Sequence, residues 1–377
     1  MEAGRPRRSR CRQLVKASIY FHIPFCSKKC PYCHFYVVPN QRRYHAALTQ
    51  GLRLEWERQK HLLQNTEIVS IYFGGGTPTL YGPEAIGEVL SWIPRFAQCE
   101  ITVEANPEEA SLPLFSGLKT IGVNRISLGV QSLDDRSLAT LERQHNAEKA
   151  KQAIHLVKEA GIGNLSIDLM YDLPDQTESS WRYTLDQLDH LPIDHLSLYN
   201  LTIEPHTSFY KRRATLQFPK PDESLRFLHL ATHHLEQLGL HRYEISAFAK
   251  PGFASRHNLG YWTFRPFLGF GPSAFSYWNG ERFQNTPNLQ RYTRALIENT
   301  SPVSYSEKLP YPASLKERLA VELRLKAGVL LPSNLPEETQ TAIASLEKQN
   351  LIERKEGRIM LTKRGMLFYD TVASELI

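Results

Sequence analysis

Short runs of apolar and β-branched residues alternate, over the first 250 positions, with longer stretches whose apolar residues recur every three or four places. The short runs fall at 17–21, 68–73, 100–104, 125–130, 165–170, 195–199 and 242–246, which is strand length. The longer stretches, at 41–63, 83–96, 112–120, 147–159, 179–190 and 222–237, carry the helical period. Pro83 stands where a helix start tolerates a missing N–H, and Gly161 follows a helix as a C-terminal glycine does. Six successive strand–helix units predict parallel strands with right-handed crossovers, hence an α/β open sheet or barrel. In either architecture the functional groups collect at the C-terminal ends of the strands.

The rhythm breaks after Ser246. Residues 247–310 are rich in Gly, Pro, Asn and aromatics and read as irregular connecting structure. Helical pattern returns at 315–326 and 337–349. A strand-like pair, 351–354 and 358–361, then follows about a Glu356-Gly357 turn, and a last helix begins at Thr362. Helix, helix, hairpin, helix resembles a winged-helix unit. Lys and Glu are mixed on each helix, which favours a packing role over DNA binding. The expected division is a tail at 1–16, an α/β domain at 17–246, and a smaller α+β domain at 247–377, its winged-helix-like part spanning 314–377.

Composition narrows this little: 41% hydrophobic and 22% charged residues among 377 are those of a soluble globular protein. Charge changes more. Of the net +6, the first sixteen residues carry +5, from five arginines and Lys16 against Glu2. The folded part is therefore near neutral, the tail is expected to be a solvated arm, and no nucleic-acid partner is expected. Attraction of the tail to an anionic membrane surface is the weaker expectation. No run of eighteen apolar residues and no secretory signal are present, so a cytoplasmic location is expected.

Five cysteines are too few for a disulfide framework, yet Cys26, Cys30 and Cys33 fall within eight residues directly after the first strand. Three thiolates at such spacing can each hold one iron of a [4Fe-4S] cubane, leaving the fourth iron open to a ligand that is not protein. A structural zinc site is the competing metal reading. It normally takes four ligands in two separated pairs, and here only His22 and His34 flank the loop.

The segment Tyr20-Phe21-His22-Ile23-Pro24-Phe25-Cys26, continued by Cys30-Pro31-Tyr32-Cys33, resembles the CxxxCxxC loop of radical S-adenosylmethionine (SAM) proteins. More narrowly, it is similar to the branch that holds oxygen-independent coproporphyrinogen III oxidase and its heme-chaperone relatives. The resemblance runs from about Ser18 to the C-terminus and implies a partial (β/α)6-type radical SAM barrel. It also implies that the open iron binds the amino and carboxylate groups of SAM, whose sulfonium bond an electron then breaks to give methionine and a 5′-deoxyadenosyl radical. By the same resemblance SAM would meet Tyr20, Tyr32, Gly75, Gly76 and Thr77 of the Gly74-Gly75-Gly76-Thr77-Pro78-Thr79 segment. It would also meet Glu104, Gln131, Arg143, Asp168, and Ala274 and Phe275 of the Gly269–Ser276 segment. The element from His257 to Trp262 resembles the HNxxYW sequence of the heme chaperones and implies heme contacts at His257, Asn258, Tyr261 and Trp262. Imidazole can ligate iron, and Tyr and Trp offer flat apolar faces with polar tips.

Two departures separate the chain from the oxidase. Phe35 stands where the oxidase has a further cysteine, and only nineteen residues precede Tyr20. Together with the His257 element they point to a heme-binding chaperone that passes heme to a hemoprotein, without coproporphyrinogen oxidase activity. The alternative is that oxidase, or another radical SAM enzyme acting on a porphyrin. Room remains for a homodimer. Asp172, in Tyr171-Asp172-Leu173-Pro174, occupies a place where the family usually has glycine, and Asp tolerates positive φ at modest cost.

Overall fold

The computed structural model describes residues 14–94 and 98–377. Most of the basic tail, with Cys11, and the end of the second predicted helix lie outside them. Six parallel strands form the centre of the molecule in chain order: Val15–Ile23, Thr66–Gly75, Glu100–Ala105, Arg125–Gln131, Asn164–Tyr171 and His195–Asn200. Helices Arg42–Gln59, Pro83–Ser91, Leu112–Thr120, Ala147–Glu159 and Glu178–Asp186 lie in the crossovers between them. The first strand starts at Val15, so Lys16 belongs to the sheet rather than to the tail.

The parallel strands do not read as unbroken apolar runs because their two faces differ. Ile19, Phe21, Ile71, Phe73, Ile101, Val103, Ile126, Leu128, Leu165, Ile167, Leu196 and Leu198 are buried in the main core with the helices. The alternate residues are mostly polar: Ser18, Tyr20 and His22; Ser70 and Tyr72; Thr102 and Glu104; Arg125 and Ser127; Ser166 and Asp168; His195 and Ser197. With a side-chain period of two, one face packs under the helices and the other lines the inside of a part-closed barrel. Each fully buried Leu, Ile or Phe on the outer face contributes about 1.5–3 kcal/mol, so this face holds the fold while the inner face is free for chemistry.

The region 247–310 is more regular than its composition suggests. Phe267–Phe270 pairs in parallel with the first strand, Ser18 opposite Phe267 and Phe21 opposite Phe270. Antiparallel strands Phe275–Trp278, Glu281–Asn285 and Val303–Glu307 extend the sheet from there. At the other edge, His195–Asn200 pairs with Ala247–Ala249, which pairs with His241–Glu244, giving twelve strands in all. Helix Leu289–Ile297 packs into the main core through Leu289, Tyr292 and Leu296. The main core therefore does not divide at residue 246. The sequence underestimates this segment because its strands are only three to five residues long and carry no alternation long enough to detect.

A second core forms around Leu319, Leu323, Ile343, Leu346, Leu351, Ile359, Leu361 and Val372. Its helices Ala313–Glu322 and Glu337–Lys348 and the hairpin Ile352–Lys355 with Arg358–Leu361 are joined by a short strand, Val329–Leu330. Arg324 ties it to the first part: its guanidinium lies 4.2 Å from the Trp262 ring centre, 5.1 Å from that of Tyr369, and 3.3 Å from buried Glu244. No described helix is long and apolar enough to cross a membrane.

Candidate functional site

The cysteine loop is pinned on both sides before any cofactor is considered. Phe25–Cys26 forms a two-residue parallel pair with Val38–Pro39, closing the loop like a purse. Gly76 N–H donates to the Ile23 carbonyl at 2.9 Å and Thr77 N–H to that of Phe25 at 2.6 Å, joining the loop to the glycine segment after the second strand. A side chain at Gly76 would meet the Phe25 carbonyl oxygen at 2.5 Å, and Gly75 has φ +116° with the His22 ring against it. Gly76 is needed for backbone-on-backbone packing beneath the cysteines and Gly75 for its positive φ against the His22 ring, reasons additional to close approach of a ligand.

Cys26, Cys30 and Cys33 line one cavity of about 420 Å³ with Tyr32, Gly75, Gly76, Thr77, Glu104, Gln131, Arg143 and Asp168. The ends of the first five parallel strands and the loops after them thus bring together the SAM-site residues that the resemblance implied, except Tyr20, Ala274 and Phe275. Burial pushes the Cys26 thiol up to about 11, the Thr77 hydroxyl opposing, and burial likewise raises Cys33. Such thiols become thiolates only against a strong local positive charge, which a cluster's irons would supply. Among the described residues no three His, Cys, Asp or Glu side chains converge as one mononuclear ion requires. A cubane offers each thiolate its own iron and makes no such demand, so this donor set fits a cluster.

A hydrogen-bonded chain links two of the thiols. Cys26 Sγ lies 3.7 Å from Thr77 Oγ1, and Asn106 Nδ2 donates to that oxygen at 2.9 Å. Arg143 then donates from Nη2 to Asn106 Oδ1 at 2.7 Å and to the Gly129 carbonyl at 3.0 Å, and from Nη1 to Cys30 Sγ at 3.4 Å. Glu108, 3.7 Å away, balances its charge and also meets His145. Asn106 carries the link and is not among the residues the sequence singles out; the signal available is its position one residue past the end of the strand Glu100–Ala105.

Deeper in the barrel, Glu104 accepts from Tyr72 Oη at 2.8 Å and from Gly75 N–H at 3.1 Å. Burial, opposed by the Tyr72 bond and reinforced by Asp168, lifts its carboxyl to about 7. Asp168 accepts from Ser127 Oγ at 3.4 Å and is lifted to about 6 by burial. Beneath them Arg125 is 2% exposed, with its Nε unpartnered among the described residues. Its charge favours the ionised form of both carboxylates. Arg125 and the lining residues Tyr199, Asn200, Leu201 and Thr202 were not singled out from sequence. An arginine at an inward strand position, and the end of the sixth strand, were the signals.

Three expectations are corrected. Ala274 and Phe275 do not line this cavity: Ala274 is buried in the turn before an antiparallel strand, and Phe275 is 42% exposed on it. Tyr20 also lies outside the lining, stacked against Tyr72 within the barrel, where its hydroxyl meets His22 Nδ1 at 3.2 Å. The largest correction concerns His257. It is 1% exposed, its Nδ1 faces Ser70 Oγ at 3.1 Å and its Nε2 faces Tyr261 Oη at 2.8 Å. Burial, helped by the nearby Arg265 charge, lowers its pKa to about 3. Helix Arg256–Trp262 plugs the barrel floor, Trp262 packs under Arg324, and Asn258 N–H is used in capping by Ser255. The element satisfies a polar interior and presents no free imidazole to a porphyrin.

Asp172 has φ +60° and its carboxylate accepts from Asn200 Nδ2, which compensates for the conformation.

A family model described as the radical SAM superfamily matches residues 20–188. The heme chaperone HemW of Bacillus subtilis is 31% identical over 94% of this chain and 97% of its own length. That of Escherichia coli is 38% identical over 70% of each chain. The zebrafish protein named radical S-adenosyl methionine domain-containing protein 1, mitochondrial, is 36% identical over 69% of this chain, and the match spans 60% of that relative. Among solved structures, coproporphyrinogen III oxidase (HemN) from Escherichia coli superposes with a TM-score of 0.83 over 96% of this chain and 90% of its own. At 24% identity that likeness concerns the fold.

Proposed function

This chain belongs to the radical SAM superfamily and, within it, to the HemW family, and from that premise we propose that it is a heme chaperone, binding heme and passing it to a hemoprotein in the cytoplasm. Cys26, Cys30 and Cys33 would hold a [4Fe-4S] cluster. Gly75, Gly76, Thr77, Glu104, Gln131, Arg143 and Asp168 would surround SAM. When bound, the cluster supplies an electron able to break the sulfonium bond. What this chain itself contributes is a hydrogen-bonded donor network linking two thiols, and two half-buried carboxylates in the cavity lining suited to a cationic ligand.

The observation that carries the reading is the full-length similarity to the Bacillus subtilis chaperone, matched by a cavity that gathers all three cysteines. Phe35, 54% exposed at the position of the oxidase's further cysteine, supports the chaperone over the oxidase. The test is transfer: heme-loaded protein mixed with an apo-hemoprotein should lose its heme spectrum as the acceptor gains its own. Coproporphyrinogen III supplied with SAM and a reductant should release no carbon dioxide. Failure to bind heme, or SAM-dependent decarboxylation of that substrate, overturns the reading.

A further inference from the structure

We propose that heme docks at the mouth of the cysteine cavity, with His34 as its axial ligand, Phe35 as an apolar wall, and Lys28 and Lys29 as partners for its propionates. The inference rests on the heme-chaperone reading and replaces His257 as the metal-binding residue.

A ferric porphyrin asks three things of a protein surface: a nitrogen with a free lone pair, a flat apolar face, and cations for two carboxylates. The histidines built into the barrel cannot supply the first. His257 uses both ring nitrogens, and so do His22, His145 and His195, each held between two partners. His34 differs. It is exposed, it lines the cavity, and neither ring nitrogen has a hydrogen-bond partner among the described residues. Its place follows from the loop: the pairing of Phe25–Cys26 with Val38–Pro39 forces residues 27–37 to bulge outward, with His34 and Phe35 beyond the last cysteine.

The second requirement is met next door. Phe35 is 54% exposed, an unusual position for a phenylalanine, and its ring centre lies 4.6 Å from that of His34. Imidazole and benzene rings side by side at a cavity rim give a donor and a face for one macrocycle. The third comes from the same loop. Lys29 Nζ reaches the Phe35 carbonyl at 3.0 Å, fixing an ammonium beside the aromatic pair. Lys28 Nζ lies 3.1 Å from Glu142, whose other oxygen Arg212 holds at 2.8 Å. With Glu204 also on the rim, the mouth carries Lys28 and Lys29 against Glu142 and Glu204, and Arg212, outside the lining, offsets the charge of Glu142. The cavity below, about 420 Å³, is left for a ligand of SAM's size, so the porphyrin lies above rather than in it.

The test uses tag-free, cluster-reconstituted full-length protein titrated with ferric protoporphyrin IX and, separately, with metal-free protoporphyrin IX. Binding is followed by difference spectra and by the EPR signal of low-spin ferric heme. His34→Ala should weaken ferric heme by roughly tenfold or more, a loss of about 1.4 kcal/mol, and remove the low-spin signal. The same variant should bind metal-free porphyrin within about twofold of wild type, since no metal bond is lost. Replacing Lys28 and Lys29 together with Glu should weaken both porphyrins. Ferric heme bound by His34→Ala with unchanged spectrum and affinity overturns the inference and leaves the chaperone reading standing. Wild-type protein that binds no heme overturns both. Because His34 is exposed, its removal does not threaten the fold, and retention of cluster absorbance in each variant verifies that.

Discussion

Arg143 serves Cys30 Sγ, Asn106 and the Gly129 carbonyl at once, so its removal has separable consequences. Losing a cation and an N–H···S bond beside the cluster stabilises the oxidised form, and Arg143→Ala should lower the reduction potential. It should also weaken SAM by roughly tenfold or more, as expected for a charge-assisted hydrogen bond of about 1.5–3 kcal/mol. Potentiometric EPR and calorimetric titration read the two effects. The carboxylates give a pH signature. Glu104 and Asp168 are raised to about 7 and about 6, by burial foremost, so the fold holds their protons more tightly than the unfolded chain does. Without ligand, their ionisation costs stability progressively as pH rises from about 4 to 7. A sulfonium cation favours the ionised forms, so SAM should bind more tightly as pH rises from about 5.5 to 8, with proton release, and level off above. Glu104→Gln should flatten that profile; an affinity independent of pH in wild type would contradict it. The cysteines and the polar strand ends were legible in the sequence because their residue types and spacing carry chemistry. His257 reads as a heme ligand because a histidine four residues before a Tyr-Trp pair looks the same in sequence whether it binds metal or fills a polar barrel floor.

At the scale of elements, the alternation of the six strands carries both the fold and the site. The outer residues pack under helices, and the inner ones rise to Gly75, Glu104, Gln131 and Asp168 at the cavity. Strand and helix positions over the first 240 residues were readable because long periods repeat. What was not readable was the pairing of Phe267–Phe270 with the first strand, a contact across some 250 residues that no local pattern encodes. One buried side chain fastens it. Glu55, in the first helix, accepts from Gly271 N–H at 2.9 Å, Asn285 Nδ2 at 2.7 Å and Tyr292 Oη at 2.6 Å. Burial, partly offset by those donors, raises its carboxyl to about 7. Glu55→Ala would strand three buried donors and should cost about 3 kcal/mol or more, read as a lower urea midpoint. The loss should appear together with increased hydrogen exchange over 269–296; unchanged exchange there would contradict the assignment.

At the scale of the whole molecule, Arg324 lies at the junction of the main core and the core around Leu319 and Ile343, between the Trp262 and Tyr369 rings and beside Glu244. Arg324→Ala should uncouple them, splitting one calorimetric transition into two, while cluster content stays unchanged because the cysteines lie elsewhere. The sequence suggested a boundary at residue 246 because composition shifts there, but packing follows hydrogen-bonded strands and not composition. The central claim is that one cavity, built from the ends of the parallel strands, holds both a three-cysteine cluster and SAM. The most direct measurement is the EPR spectrum of the reduced, anaerobically reconstituted protein before and after SAM is added. The account predicts a [4Fe-4S] signal whose g-values shift on SAM addition, with the shift requiring markedly more SAM in Arg143→Ala. A signal indifferent to saturating SAM in the wild-type protein would contradict it.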